Sequence, residues 1–300
     1  MKIVFFGTPD FAIPTLKKIS GSKHSIEAIV TAPDKERGRG RKIQFTPVKN
    51  FAVENNIKLL QPVKLKDENF INSLKEINAD LFVVVAFRIL PKEVFLLPEK
   101  GSFNLHASLL PKYRGAAPIQ WALINGETET GVTTFFLKEK VDTGNIILQQ
   151  KVKIEETDNF GTLHDKLAEI GGDLVVKTID LIESGNYKLT EQDSSLATPA
   201  PKITKELCKI DWSKPAENIH NLIRGLSPYP GAFFMHGNKM YKVFKTQILT
   251  IAGLSPGEIY QTKNELIIGA QNGALRILEI QPEGRKRMSA EEFLRGYKLT

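Results

Sequence analysis

The sequence predicts an α/β fold, a mostly parallel sheet with helices on both faces, followed by a small C-terminal β-barrel. Three observations carry this. Residues 1–190 alternate strand-like and helix-like segments, as parallel strands joined by crossover helices do. Leu81–Phe82–Val83–Val84–Val85 is apolar without alternation, which suits a strand covered on both faces. From Leu207 onward, short alternating runs are separated by turn signals such as His236–Gly237–Asn238 and Gln271–Asn272–Gly273. That spacing is the mark of a small barrel.

The elements follow in order. Lys2–Phe6, bounded by Gly7 and Pro9, reads as a buried first strand. Phe11–Ile19 has helical spacing, and Ile26–Thr31 reads as a second strand. Ala79–Phe87 is the clearest strand, followed by Gly101–His106, a helix near Pro118–Ile124, and strands at Thr130–Leu137 and Ile146–Ile154. Phe160–Glu183 is a long helix with Leu163, Leu167, Ile170 and Leu174 on its apolar face. Thr190–Lys205 holds polar residues and prolines with no long apolar period, so it reads as a linker. The expected division is therefore 1–189, a linker at 190–206, and 207–300. In the last part Asn218–Leu226 suits a helix, and Ala232–Met235, Lys239–Thr246, Gly257–Gln261, Glu265–Gly269 and Leu275–Gln281 suit strands.

A chain of 300 residues, 41% hydrophobic and 25% charged, has room for two cores and the composition of a soluble globular protein. Its one cysteine, Cys208, excludes an internal disulfide framework and any cysteine-rich zinc site, and it fits a reducing cytosol. No stretch approaches the length of a membrane span, and the apolar start is too short for a signal peptide, so a cytoplasmic location is expected. The net charge of +7 is unevenly spread: residues 201–300 hold 15 Lys and Arg against 9 Asp and Glu. A second basic concentration, Lys35, Arg37, Arg39, Arg41 and Lys42, is offset only by Glu36. Such surfaces suit a polyanion, or simply keep the protein in solution.

Four motifs bear on chemistry. Gly7–Thr8–Pro9–Asp10 stands where a first strand meets its helix, but the Gly-x-Gly-x-x-Gly spacing is absent, so NAD or FAD is not expected. The segment is a structural turn or an anion site at a helix start. Arg37–Gly38–Arg39–Gly40–Arg41–Lys42 is a glycine-softened basic loop, suited to phosphates and bases or to plain solvent exposure. Asn104 and His106 lie two apart on one strand and so share a face, with a Pro-Lys-Tyr-Arg-Gly loop after them. Asp142, in Val141–Asp142–Thr143–Gly144, is a turn residue or the carboxylate that completes the set. An amide can hold an oxyanion, an imidazole can move a proton, and a carboxylate can fix the imidazole's tautomer. Together they suit acyl transfer.

Phe103–Asn104–Leu105–His106–Ala107–Ser108–Leu109–Leu110–Pro111–Lys112–Tyr113–Arg114–Gly115, with Pro118–Ile119–Gln120–Trp121 and Val141–Asp142–Thr143–Gly144, resembles the formyltransferases that use 10-formyltetrahydrofolate. The opening Ile3–Ala12, the Gly38–Arg39–Gly40 loop, Ile203–Glu206 with Ile210–Trp212, and Leu278–Met288 resemble the branch whose acceptor is methionyl initiator tRNA. The resemblance runs end to end. It implies a Rossmann-like catalytic domain, an OB-like tRNA-binding barrel, and a catalytic trio at Asn104, His106 and Asp142. It also implies folate contacts at Ser108, Leu109, Leu110 and Pro111, and tRNA contacts at Lys35, Arg37, Arg39, Arg41 and Lys42. The expected enzyme is a monomer that takes 10-formyltetrahydrofolate as co-substrate, needs no metal and binds no membrane. Two other readings share these features: a folate formyltransferase acting on a small amine, and a non-catalytic RNA-binding relative. One departure stands out. Ala86–Phe87–Arg88–Ile89–Leu90–Pro91 replaces the family's Ala-Tyr-Gly segment, which lies beside the folate pocket.

Overall fold

The computed structural model describes residues 1–37, 42–250 and 253–299. Two compact units make up the chain. One comprises residues 1–115, 130–153 and 164–199, and the other 116–129, 154–163 and 200–300.

The first unit opens with β1 (Lys2–Gly7), a short 3-10 turn, α1 (Ile13–Ser20) and β2 (Ser25–Val30). A hairpin of β3 (Lys35–Arg37) and β4 (Lys42–Gln44) follows, then α2 (Pro47–Glu54), β5 (Leu59–Leu60) and α3 (Glu68–Ile77). Next come β6 (Leu81–Val85), the single-turn α4 (Lys92–Phe95), β7 (Ser102–His106) and the two-residue β8 (Arg114–Gly115). Beyond α5 (Pro118–Ile124) lie β9 (Glu129–Phe136), β10 (Ile146–Lys153) and α6 (Phe160–Ser184). The seven-stranded sheet has the order β10-β9-β7-β6-β1-β2-β5. β5, β2, β1, β6 and β7 are parallel, and β9 joins β7 antiparallel.

Helices cover both faces. Phe5 and Leu105 are buried on one side, where Gly171 and Gly172 let α6 approach closely: a Cβ on Gly171 would lie 2.7 Å from Leu105 Cδ2, and one on Gly172 3.2 Å from the backbone of Thr15 in α1. Val4, Phe6, Phe82 and Val84 fill the other side against Phe70 and Leu74 of α3 and Val94 and Phe95 of α4. α3 lies outside the elements expected from the sequence, although its caps are local: Asp67 accepts from Phe70 N, and Asn78 closes the helix in the left-handed region.

The chain steps from β1 outward through β2 to β5, then returns to lay β6 and β7 on the other side of β1. Gly7 pairs with Val85 and Val85 with Leu105, so three strands end in one row. The carboxyl ends of strands where the order reverses form the ligand crevice of a doubly wound sheet.

Residues 190–199 read as polar linker yet are folded into the first unit. Thr190 pairs with Ile146 through both backbone hydrogen bonds, and Gln192 is buried. The polar side chains are committed to hydrogen bonds within the unit, a use that composition does not reveal.

The second unit carries β11 (Pro199–Ala200) at its border, α7 (Ala216–Gly225) and β12 (Ala232–His236). β13 (Lys239–Leu249), β14 (Ile259–Gln261), β15 (Leu266–Ala270), β16 (Gly273–Pro282), β17 (Met288–Ser289) and α8 (Ala290–Gly296) complete it. The barrel expected here is a curled antiparallel sheet, β12-β13-β16-β15-β14, with β17 on β16. Ile219 and Ile223 of α7 pack with Val243, Leu275, Ile277 and Ile280 of the sheet. α8 carries the fully buried Phe293 and is held by a capping box: Ser289 Oγ accepts from Glu292 N at 3.1 Å, and Glu292 Oε2 accepts from Ser289 N at 2.9 Å. Among the described residues, no helix is long and apolar enough to cross a membrane. Replacement Ser289→Ala removes one arm of the box and is expected to lower stability by about 1 kcal/mol, read as a shifted urea midpoint at unchanged slope.

Candidate active site

β7 ends at the row of strand ends with Asn104 and His106 on the face opposite Leu105. Asn104 pairs laterally with Val84 and Phe135, so its side chain projects on the Val84 face. It is half-buried, and among the described residues its amide makes no hydrogen bond to the protein. His106 is buried, with both ring nitrogens facing oxygen. Nε2 lies 2.8 Å from the Tyr113 carbonyl, which fixes it as a donor, and Nδ1 lies 3.9 Å from Asp142 Oδ2. Asp142 Oδ2 also accepts from Gly115 N at 2.9 Å. The structure thus brings Asp142 to His106 across 36 residues of sequence, within reach of a single water or a small shift.

The backbone is strained where it meets this group. Five described non-glycine residues have φ in the left-handed region, and two are asparagines just past helices, Asn56 and Asn78, where that conformation is easily adopted. The other three are Ala86 (φ 49°) directly after β6, Tyr113 (φ 61°) and Asp142 (φ 54°). Residues held this way gather at ligand and catalytic sites.

Two clamps hold the turns. Ser108 Oγ donates to Lys112 O at 2.6 Å, Thr133 Oγ1 donates to Ser108 O at 2.7 Å and accepts from Leu110 N, and Gln149 Nε2 donates to Leu110 O at 2.8 Å. These bonds fix the loop that carries the Tyr113 carbonyl. The polar groups of Ser108 and Leu110 face inward, so this loop offers a ligand its shape, with Leu109 and Pro111 only partly buried. On the other side, Gln192 Nε2 donates to the carbonyls of Asp142 (3.0 Å) and Gly144 (2.8 Å), while its Oε1 accepts from Arg114 Nε and Nη2. Gly144 admits no side chain, since a Cβ there would lie 1.6 Å from Phe136 O. Gln192, Thr133, Gln149 and the Tyr113 carbonyl carry no signal in one sequence, because none sits at a telling spacing from His106.

Gly7 belongs to the row as a close-packed turn: a Cβ would stand 2.7 Å from Phe5 Cε1 and 3.1 Å from Val85 O. Arg88 turns away to hold the segment after β5, donating to Val63 O at 3.0 Å and Pro62 O at 2.8 Å, and Phe87 packs edge-on against Phe6.

The basic segment is the arm pair of the β3–β4 hairpin, with Lys35 opposite Gln44 and Arg37 opposite Lys42. Arg39 and Arg41 lie outside the described residues. The hairpin base is pinned. Lys49 Nζ sits 3.7 Å from the centre of the Phe45 ring and 2.5 Å from Asp34 Oδ2, and Gln61 Nε2 donates to Asp34 Oδ1 and to Ala32 O. Lys49 and Gln61 hold the Asp34 carboxyl below its ordinary pKa. Of the remaining histidines, His24 meets Asp180, His164 meets Asp165 and His220 meets Thr246, while His236 is exposed at the end of β12.

Comparison with known proteins identifies the family. Residues 1–179 match the formyl transferase family and residues 202–298 its C-terminal domain. A protein of Bacteroides fragilis named methionyl-tRNA formyltransferase is 47% identical over 311 residues, covering 100% of this chain and 96% of its own. One of the same name from Caldanaerobacter subterraneus is 47% identical over 302 residues, covering 100% and 98%. Among solved structures, an N-formyltransferase from Helicobacter canadensis bound to folinic acid and dTDP-3-aminofucose superposes with a TM-score of 0.70 at 22% identity, covering 96% of this chain and 100% of that one. HypX from Aquifex aeolicus in complex with tetrahydrofolic acid superposes at 0.65 and 18% identity, covering 99% of this chain and 48% of its own. These two extend the likeness in fold. With both family domains present and relatives matched end to end, the chain belongs to the formyl transferase family.

Proposed function

We propose that this protein transfers the formyl group of 10-formyltetrahydrofolate to the α-amino group of methionyl initiator tRNA, in the cytoplasm and as a monomer. The observation that carries the reading is the convergence of His106, Asp142 and the unpartnered Asn104 amide at the strand ends. The full-length likeness to methionyl-tRNA formyltransferases supports the choice of acceptor.

The site fits a folate co-substrate. Asn104 offers a half-buried amide donor and His106 a buried imidazole on one face of β7, and the loop that follows carries the partly buried Leu109 and Pro111. When bound, the folate supplies a formyl group already activated by attachment to a nitrogen that can leave. An α-amino group has a pKa of about 7.7–8.0, and an ester neighbour lowers it, so the nucleophile needs little help to be neutral. The chain's task is to manage charge and one proton.

Asn104 donates its amide N–H to the formyl oxygen as that oxygen gains negative charge, a contact worth roughly 2.7–4 kcal/mol where water is excluded. His106 Nδ1 is the ring nitrogen left to take the proton that the attacking amine releases, because Nε2–H is committed to Tyr113 O. Asp142 faces Nδ1 and stabilises the imidazolium that results, and the same proton is then available to the departing nitrogen. The β3–β4 hairpin, with Lys35, Arg37 and Lys42 on its arms and Arg39 and Arg41 between them, meets the tRNA backbone, and the positive charge of residues 201–300 adds to the attraction.

Incubation with 10-formyltetrahydrofolate and methionyl initiator tRNA should yield formyl-methionine on the tRNA. Formylation of an amino sugar nucleotide in its place would overturn the acceptor assignment. His106→Ala and Asp142→Ala should each lower kcat by about 10²–10⁴ with little change in KM for either substrate; a raised KM at full turnover would refute their roles. Arg39→Ala should weaken methionyl-tRNA use while leaving folate binding intact, and should make the salt dependence shallower by about one unit of log–log slope. Unaltered tRNA kinetics across that salt range would remove the hairpin from the interface.

A further inference from the structure

We infer that Gln192 is a positioning residue for Asp142, setting the carboxylate against His106 by gripping the turn from its backbone side. The inference rests on the proposed role of Asp142. Gln192 lies 50 residues beyond Asp142, in a stretch whose composition suggests only a linker. Yet it is 93% buried and uses its whole amide. Its two N–H bonds go to the carbonyls of Asp142 (3.0 Å) and Gly144 (2.8 Å), and its oxygen accepts both Nε (3.1 Å) and Nη2 (2.7 Å) of Arg114.

The arrangement matters because of the conformation it spans. Asp142 sits at φ 54°, a region that aspartate visits more readily than most side chains but that still has to be held against extended alternatives. Two carbonyls flanking the turn point to one amide, and rotating Asp142 out of the left-handed region would swing its carbonyl off that donor. Arg114 is the residue before Gly115, whose N–H binds the carboxylate itself at 2.9 Å. Arg114 N in turn donates to Thr198 O, and Tyr113 N donates to Thr198 Oγ1. Residues 192–198 therefore grip both sides of the catalytic pair: the turn bearing Asp142, and the 113–115 segment bearing the carbonyl that holds His106. Only an amide satisfies this position. A carboxylate would keep Arg114 but set an oxygen against two carbonyl oxygens, and an aliphatic chain of the same length would satisfy neither side.

The test compares Gln192→Glu, Gln192→Leu, Asp142→Ala and the double variant Asp142→Ala/Gln192→Leu, each as the full chain with 10-formyltetrahydrofolate and methionyl-tRNA. A misplaced carboxylate should lower kcat about 100-fold in both Gln192 variants, with KM for both substrates little changed. In the Asp142→Ala background the second substitution should cost less than about twofold, because its effect runs through a carboxylate already removed. A merely structural role would give losses that multiply. Gln192→Glu retains the Arg114 contact, so loss of turnover in that variant at an unshifted melting temperature separates positioning from failure to fold. Multiplying losses, or full turnover in Gln192→Glu with turnover lost in Asp142→Ala, overturn the role of Gln192 and leave that of Asp142 standing. Full turnover in Asp142→Ala overturns both.

Discussion

The two oxygens that bracket His106 set the terms for the whole first unit. One is a backbone carbonyl at hydrogen-bonding distance from Nε2, the other a carboxylate nearly 4 Å from Nδ1. A buried imidazole between two acceptors has one fixed proton and one vacancy for a second. Neither oxygen arrives there cheaply. Tyr113 and Asp142 both adopt left-handed backbone, which costs on the order of 1–3 kcal/mol for a residue such as tyrosine and less for aspartate. The parallel sheet supplies the rigid frame against which this strain is held, and the Thr133–Gln149 and Gln192–Arg114 clamps supply the hydrogen bonds that prevent its release.

The sequence made much of this legible, and the limits follow from range. The apolar run Leu81–Val85 could only be a covered strand, and it is. The long period of Phe160–Glu183 appears as α6, one residue longer at its end. Asn104 and His106 could be assigned one face because strand alternation is strictly local. What alternation cannot do is report partners 20 to 80 residues away. Gln192, Thr133 and Gln149 act through contacts that only the folded chain creates, and the linker-like composition around Gln192 points in the opposite direction. The basic segment was visible as charge, but its hairpin form was not, since Lys35–Arg37 and Lys42–Gln44 are too short and polar to carry a strand signal. α8 is absent from the sequence expectations although its signal is local, since Ser289 with Glu292 is a capping-box spelling directly before the buried Phe293.

Within the second unit the physical logic differs. Ile219 and Ile223 of α7 pack into the core of the sheet, and Tyr241 links the rings of Phe234 and Phe293 into one aromatic layer. Basic residues keep clear of that core. Lys242 reaches back to donate to Pro230 O, and Arg287 lies over the Phe244 ring while pairing with Glu279. Long cationic side chains laid along a surface in this way present charge with their aliphatic stems already packed. Such a surface attracts a polyanion over distances set by ionic strength and supplies no chemistry of its own.

Recognition and chemistry must nevertheless be in register, and the first unit provides a route. Asp34, at the base of the basic hairpin, accepts from Gln61; the next two residues, Pro62 and Val63, accept from Arg88; and Arg88 stands two residues past the strained Ala86 at the end of β6. β6 is the strand against which β7 lays Asn104. The hairpin base and the end of β7 are thus joined by three side-chain hydrogen bonds and one strand pairing. Arg88, the departure from the family's usual segment, is the middle contact. Its guanidinium meets two backbone carbonyls in a fork that a smaller or more flexible residue would not reproduce. On the proposed reading, load applied to the hairpin by a nucleic-acid ligand would pass along this path to β6 and so to the strand that carries Asn104 and His106.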